Sequence, residues 1–184
     1  MTTNTDNVRV TLSGAIYVAP VGSTLPTDST TGVDAAFTDA GLISDKGVTE
    51  SLNDDKVDVR SWDGSVARTY FKSSTATFQF ELLEHNAVTQ GLYYKASLTG
   101  FNSGPGSVDI GQAVPDPRAL VIDTLDGDVH IRYVIPKGEV TTRGDVTHNK
   151  DGATVYPVTI TAYQASDGVA ATKYFDVLEG LPAD

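Results

Sequence analysis

The sequence predicts a mainly β protein: an antiparallel β-sandwich or barrel with one flanking α-helix and a long projecting β-hairpin arm. Three observations carry this. Val, Thr and Ile together supply 51 of 184 residues, and branched side chains suit a pleated, half-buried surface. Runs of strict apolar/polar alternation recur along the chain. Asp-Gly pairs, which tolerate positive φ, punctuate those runs.

In chain order, Val8, Val10 and Leu12 alternate with Arg9 and Thr11, opening a strand over 8–19 with Gly14 marking a bulge or bend. Residues 20–39 carry Pro20, Gly22, Pro26 and Gly32 among Thr, Ser and Asp, and read as loop. Residues 41–52 read as a short strand. In 53–73, Val57, Val59 and Ser61 alternate with Asp58, Arg60 and Trp62, Asp63-Gly64 turns the chain, and Val66, Arg68 and Tyr70 return. This hairpin is polar on much of both faces. It is either an extended arm or an unstructured loop, since so little apolar surface cannot build a core. Residues 75–83 set Ala76, Phe78, Phe80 and Leu82 on one face and Thr75, Thr77, Gln79 and Glu81 on the other, a clear strand.

The period then switches. Val88, Leu92 and Lys95 with Ala87, Gly91 and Tyr94 form a helical stripe within 84–97, and Glu84 sits where it would favour the helix N-terminus. Residues 99–117 are a Gly/Pro loop with a short strand at 107–110. The last third reads as a meander. Residues 119–125 meet 128–135 through Asp126-Gly127, 138–147 meet 153–164 through 150–152, and that strand meets 171–178 through Asp167-Gly168. Pro157 inside a strand predicts an edge or a bulge.

Composition bounds the function. The net charge is −11 and there is no cysteine. Disulfide frameworks, thiolate metal sites and cysteine nucleophiles are therefore excluded. The acidic balance opposes binding to nucleic acid or an anionic membrane through phosphate contacts. Residues 1–14 lack the basic and apolar regions of a secretory signal, and no apolar run is long enough to span a bilayer.

No catalytic constellation is legible. His85, His130 and His148 read as surface residues rather than bases. Glu81, Glu84 and His85 cluster in sequence, but strand and helix periodicities turn them apart. Asp123, Asp126 and Asp128, and the run from Thr147 to Gly152, miss the register of a calcium loop. Asp54-Asp55 reads as solvated loop charge. No metal or other cofactor is expected.

Three long phrases carry a family resemblance: GAIYVAPVGSTLPTDSTTGVDAAFTDAGLIS (14–44), GVTESLNDDKVDVRSWDGSVARTYFKSSTATFQFELLEHN (47–86) and GEVTTRGDVTHNKDGATVYPVTITAY (138–163). The whole chain resembles the major tail proteins, or tail tube proteins, of long-tailed bacteriophages, particularly those infecting actinobacteria. The resemblance implies one non-enzymatic structural domain over 1–184, made in the host cytoplasm and located in the virion tail. It implies hexameric rings stacked into a tube around a tape measure protein, with tail terminator and baseplate or tip proteins as further partners. Viral DNA would pass through the lumen without specific binding, and no membrane would be engaged.

By position, the inter-ring arm of the family maps to about 45–73. Its contact residues would be Asp54, Asp55, Lys56, Asp58, Arg60, Trp62, Asp63 and Arg68. Alternating charges suit docking and register, and Trp62, the sole Trp, either anchors that interface or folds back onto its own core. Residues 1–7 and 179–184 would be arms that order on assembly. A contractile-tail or secretion-tube subunit, a capsid-decoration subunit, and an extracellular glycan-binding sandwich are the alternatives. The glycan reading lacks an aromatic platform, since Tyr93, Tyr94, Tyr156 and Tyr163 are split between a helix and a strand.

Overall fold

Strand β1 (Ser13–Pro20) buries Ile16, Val18 and Ala19 and pairs along its length with β5 (Arg118–Asp126). The computed structural model describes residues 8–95, 107–108, 110–112 and 114–175. The remaining strands are β2 (Thr38–Asp39), β3 (Thr49–Arg60), β4 (Val66–Leu82), β6 (Val129–Arg143), β7 (Tyr156–Ala162) and β8 (Thr172–Phe175), with one helix, α1 (Ala87–Tyr94). All pairings are antiparallel in a single sheet ordered β2-β1-β5-β6-β7-β4-β3, and β8 also pairs with β6.

The sheet rolls so that its two halves face each other. Ile16 and Val18 of β1 share one core with Phe78, Phe80 and Leu82 of β4, although β5, β6 and β7 separate those strands in the ladder. One segment stitches the seam. Residues 38–39 pair with β1, the Ala40 N–H donates to Ile16 O (2.8 Å), and the Ser44 N–H donates to Glu81 O (2.9 Å) on β4. This seam is a two-residue ladder plus an isolated bridge at Ile43–Leu82, so the architecture is a rolled sheet rather than a fully laddered barrel.

Helix α1 lies against β6 and β7 with Val88 and Leu92 buried. It is shorter than the sequence reading of 84–97. Asn86 is its N-cap, accepting from the Thr89 N–H (2.8 Å), and Lys95 closes it in the left-handed region at φ 55°. Glu84 therefore stands outside the helix. It accepts from the Leu42 N–H (2.9 Å) and from Asn86 Nδ2 (3.2 Å), and thus ties down the seam.

A second, smaller apolar layer covers the opposite face of β1, β5 and β6: Ala19, Ala119, Val121 and Val134 under Phe37, Leu25 and Val33 from the 20–39 loop. A buried ion pair pins this loop. Arg132 holds Asp123 through two bonds (2.6 and 2.7 Å) and donates to Thr31 O (2.5 Å). His130 reaches the same loop through Ser29 O (2.9 Å), so it is built into the structure rather than free on the surface.

Several boundaries depart from the sequence reading. Residues 8–12 are not a strand, and Val8, Val10 and Leu12 are exposed. Gly14 sits in regular ladder without a bulge; a Cβ there would stand 2.6 Å from Asp123 O, so a close backbone approach explains it. Residues 41–48 form no strand beyond the bridge at Ile43, and 49–52 belong to β3. Residues 107, 108 and 110 are not in a strand, and 109 lies outside the described residues.

The runs 128–135 and 138–147 merge into one strand, β6, which ends at Arg143. Its crossing point needs Gly138, where a Cβ would fall 2.8 Å from both Ile160 and Leu120. The connection from β6 to β7 spans 144–155 rather than a tight turn at 150–152. Pro157 is interior, between β4 and β6, without a bulge in its pairing with β4. Its carbonyl accepts from the Gly144 N–H (2.9 Å) just past the last β6 pair. Since N–H and C=O of one strand residue point to the same side, the missing donor falls where that ladder ends. The Asp167-Gly168 turn forms, but β8 does not pair with β7; it continues along β6 at 131–134.

Breaking a buried pair strands the remaining charge. Arg132→Met should destabilise the fold by about 3–5 kcal/mol, read by urea unfolding. A loss below about 1 kcal/mol would show that Asp123 finds other compensation.

Candidate assembly site

Beyond the pair Asn53–Thr75, β4 has no partner but β3. The two strands leave the body as a two-stranded ribbon. Nine residue steps from Asn53 to Trp62 give a reach of about 30 Å. The ribbon exists because β4 is continuous: its last seven residues carry Phe78, Phe80 and Leu82 in the core, and its first ten continue the ladder into solvent. The sequence reading of an extended hairpin is thus the structure, and the unstructured alternative is not.

The tip is a designed-looking knot of short polar contacts. Gly64 takes φ 84°, and the Ser61 N–H donates to Ser65 O (2.8 Å). The Asp63 carboxylate accepts from the Ser61 hydroxyl and from the Ser65 N–H (3.0 Å) and hydroxyl (2.8 Å). These bonds, the Ser61 hydroxyl foremost, hold its pKa down at about 2.

Register shifts at Asp55/Lys56 and Val59/Arg60 leave Lys72 and Ala67 as extra residues on β4. Such bulges add twist and blunt an exposed edge. Cross-strand pairs then sort the predicted residues onto two faces. Asp54 lies opposite Ser74 (2.5 Å), Lys56 over the Phe71 ring (4.9 Å to its centre) and Asp58 opposite Thr69 (2.6 Å), with Arg60 next to Asp58 (4.0 Å). Asp55 pairs with Lys72 (3.8 Å) on the other face, where Arg68 opposes Val59. The eight residues therefore form no single patch. Asp58 and Arg60 come together, Asp63 is absorbed by the tip, and Trp62 is fully exposed rather than folded back.

The sequence reading missed the apolar members of the arm. Leu52, Val59, Val66, Tyr70 and Phe71 are all exposed. The signal was available: in a hairpin without a core, every branched or aromatic side chain is left in water. Among the described residues no group of three or more His, Cys, Asp or Glu is placed to hold a metal, and no helix is long and apolar enough to cross a membrane. Residues 1–7 and 179–184 lie outside the described residues.

A rolled β body that extends a large, apolar-studded ribbon into solvent defines a subunit made for assembly. The family model described as "Phage tail tube protein" matches residues 1–177, and the chain belongs to that family. It is a structural protein of the phage tail tube and part of the virion. No curated protein sequence matches the chain. Two of the solved structures that the chain matches align with it over most of its length. One is a chain from the virion of a native gene transfer agent particle, with 10% identity, TM-score 0.45, 96% of this chain and 100% of that one covered. The other is from the anti-feeding prophage baseplate, with 12% identity, TM-score 0.39, 87% and 92% covered.

Asp63 yields a test. Its folded pKa lies below the ordinary value of 3.8, so its contribution to tip order is complete above that value and is lost as pH falls through about 2. Carboxyl NMR should place its midpoint near 2. A midpoint near 4 would mean that the tip bonds are not formed in solution.

Proposed function

We propose that copies of this chain form hexameric rings that stack into the tail tube, around a tape measure protein, and that the finished tube conducts the genome. The tail terminator and the baseplate or tip proteins bound its two ends. The observation that carries this reading is the arm: a ribbon that buries nothing in its own chain yet exposes Trp62, Phe71, Tyr70, Val66 and Val59. Exposed apolar groups in that concentration belong to an interface. Asp54, Asp55, Lys56, Asp58, Arg60 and Arg68 flank them and set register between rings, while Asp63 shapes the tip.

The acidic balance fits passage of DNA. Six copies of a chain carrying −11 give a strongly negative ring, and like charge keeps a polyanion from adhering to the wall.

Trp62→Ala tests the arm. The monomer should unfold within about 0.5 kcal/mol of the parent, since the side chain touches no core, while tube formation followed by electron microscopy should fail. Tubes of normal length from this variant would remove Trp62 from the interface.

A further inference from the structure

The arm needs a receptor, and among the described residues the body carries a groove suited to it. The groove lies beside the seam, between the start of β1 and the 41–48 segment, with a volume of about 480 Å³, within the range that seats a ligand. Its apolar wall is Leu12, Leu42, Ile43 and Val48, of which Leu12 and Leu42 stay largely exposed. Its rim is Asp39, Asp45 and Glu84, and no Lys or Arg lines it. The walls are fixed. The Leu42 N–H donates to Glu84 Oε1 (2.9 Å), and Leu42 O accepts from the Leu83 N–H (2.9 Å). A Cβ at Gly41 would collide with the Glu84 carboxylate at 2.4 Å, so glycine lets Glu84 pack against this segment.

We infer that this groove receives the Trp62 tip of the hairpin from a second copy of the chain, with Arg60 or Arg68 meeting the acidic rim. The inference rests on the assembly reading above and names the partner surface. Three observations support it. Trp62 is the most exposed large apolar side chain among the described residues, and the groove is an apolar recess of matching scale. Residues 53–73 carry four acidic and four basic side chains, so the arm is neutral and all of the −11 lies elsewhere. The arm is thus the element that can approach an acidic groove without net repulsion.

Placement is the third observation. The tip precedes Val66 and the groove adjoins Leu82 and Glu84, so the two sit beyond opposite ends of one 17-residue strand, about 50 Å apart. A knob at one end and a hole at the other make a head-to-tail contact, which does not close as a two-fold dimer and runs on from copy to copy as a stack where its rotation closes no ring.

The test places p-benzoylphenylalanine at position 62 and irradiates tubes recovered from producing cells, with peptide mapping of the cross-links. Intermolecular cross-links to 11–15 and 41–48 are expected. Cross-links confined to other surfaces in intact tubes would overturn the docking while leaving the assembly reading in place. Absence of rings and tubes from the unmodified protein as well would overturn both. Leu42→Asp is the companion variant. Its side chain is exposed, so the monomer should keep its thermal midpoint, and tube yield should fall at least tenfold. Normal yield with a normal midpoint counts against the groove. The conservative Leu42→Met should retain tubes, which separates loss of docking from loss of fold.

Discussion

One strand carries the whole design. A two-stranded ribbon with no apolar face is marginal at best in water, so the arm can persist only if its ladder continues into something stable. β4 provides this. Its core half is clamped by β7 on one edge and by the Ile43 bridge at its end, and buries Phe78, Phe80 and Leu82. Its outer half inherits direction and register from that clamp. The tip knot at Ser61, Asp63 and Ser65 fixes the far end. Between these two fixed points the bulges at Lys72 and Ala67 add twist, and the ladder resumes beyond each. The ribbon is thereby stiff enough to aim a side chain some 30 Å from its root.

The seam solves a matching problem at the other end of β4. A rolled sheet of this size leaves two edges, and open edges invite unwanted pairing. Here a single segment, 38–44, bonds first to β1 and then to β4. Glu84 adds a side-chain tie to the same segment. The groove beside the seam follows from incomplete closure: β2 pairs only with Tyr17 and Val18, which leaves Ser13 to Ala15 without a neighbour on that side.

What the sequence made legible was local. Alternation in 75–82 and the Asp-Gly turns at 63–64 and 126–127 are self-contained signals, and each has its expected structure. The seam, the β6–β8 pairing and the interior position of Pro157 depend on which strands lie side by side, which no local pattern encodes. The alternation of Val8, Val10 and Leu12 misled for the same reason: period two marks a strand only where a partner ladder exists. Glu84 misled because a charge near a helix start has two uses, and here the backbone of Leu42 competes for it successfully. The candidate site was legible as an arm but not as a surface. Bulges decide which residues share a face, so Lys56 with Phe71 and Asp58 with Thr69 could not be paired by counting.

The charge distribution completes the physical picture. A chain at −11 resists self-association, and close packing of many copies multiplies that resistance. Reducing the net charge would ease assembly, but if the tube conducts DNA as proposed it would also weaken the repulsion that would keep a polyanion off its wall. The arrangement observed separates these demands in space. The arm is neutral through interleaved pairs such as Asp55 with Lys72 and Asp58 with Arg60, so on the proposed reading the docking element brings no net charge with it. The rest of the chain keeps the full negative charge. Attraction then comes mainly from the apolar groups of the arm, which salt does not screen, and the contact of Arg60 or Arg68 with an acidic rim is the smaller, screened part. Added salt lowers body-to-body repulsion over a Debye length of about 8–10 Å and leaves the apolar contacts intact. Assembly on this plan strengthens with ionic strength, the opposite of one held by complementary net charge.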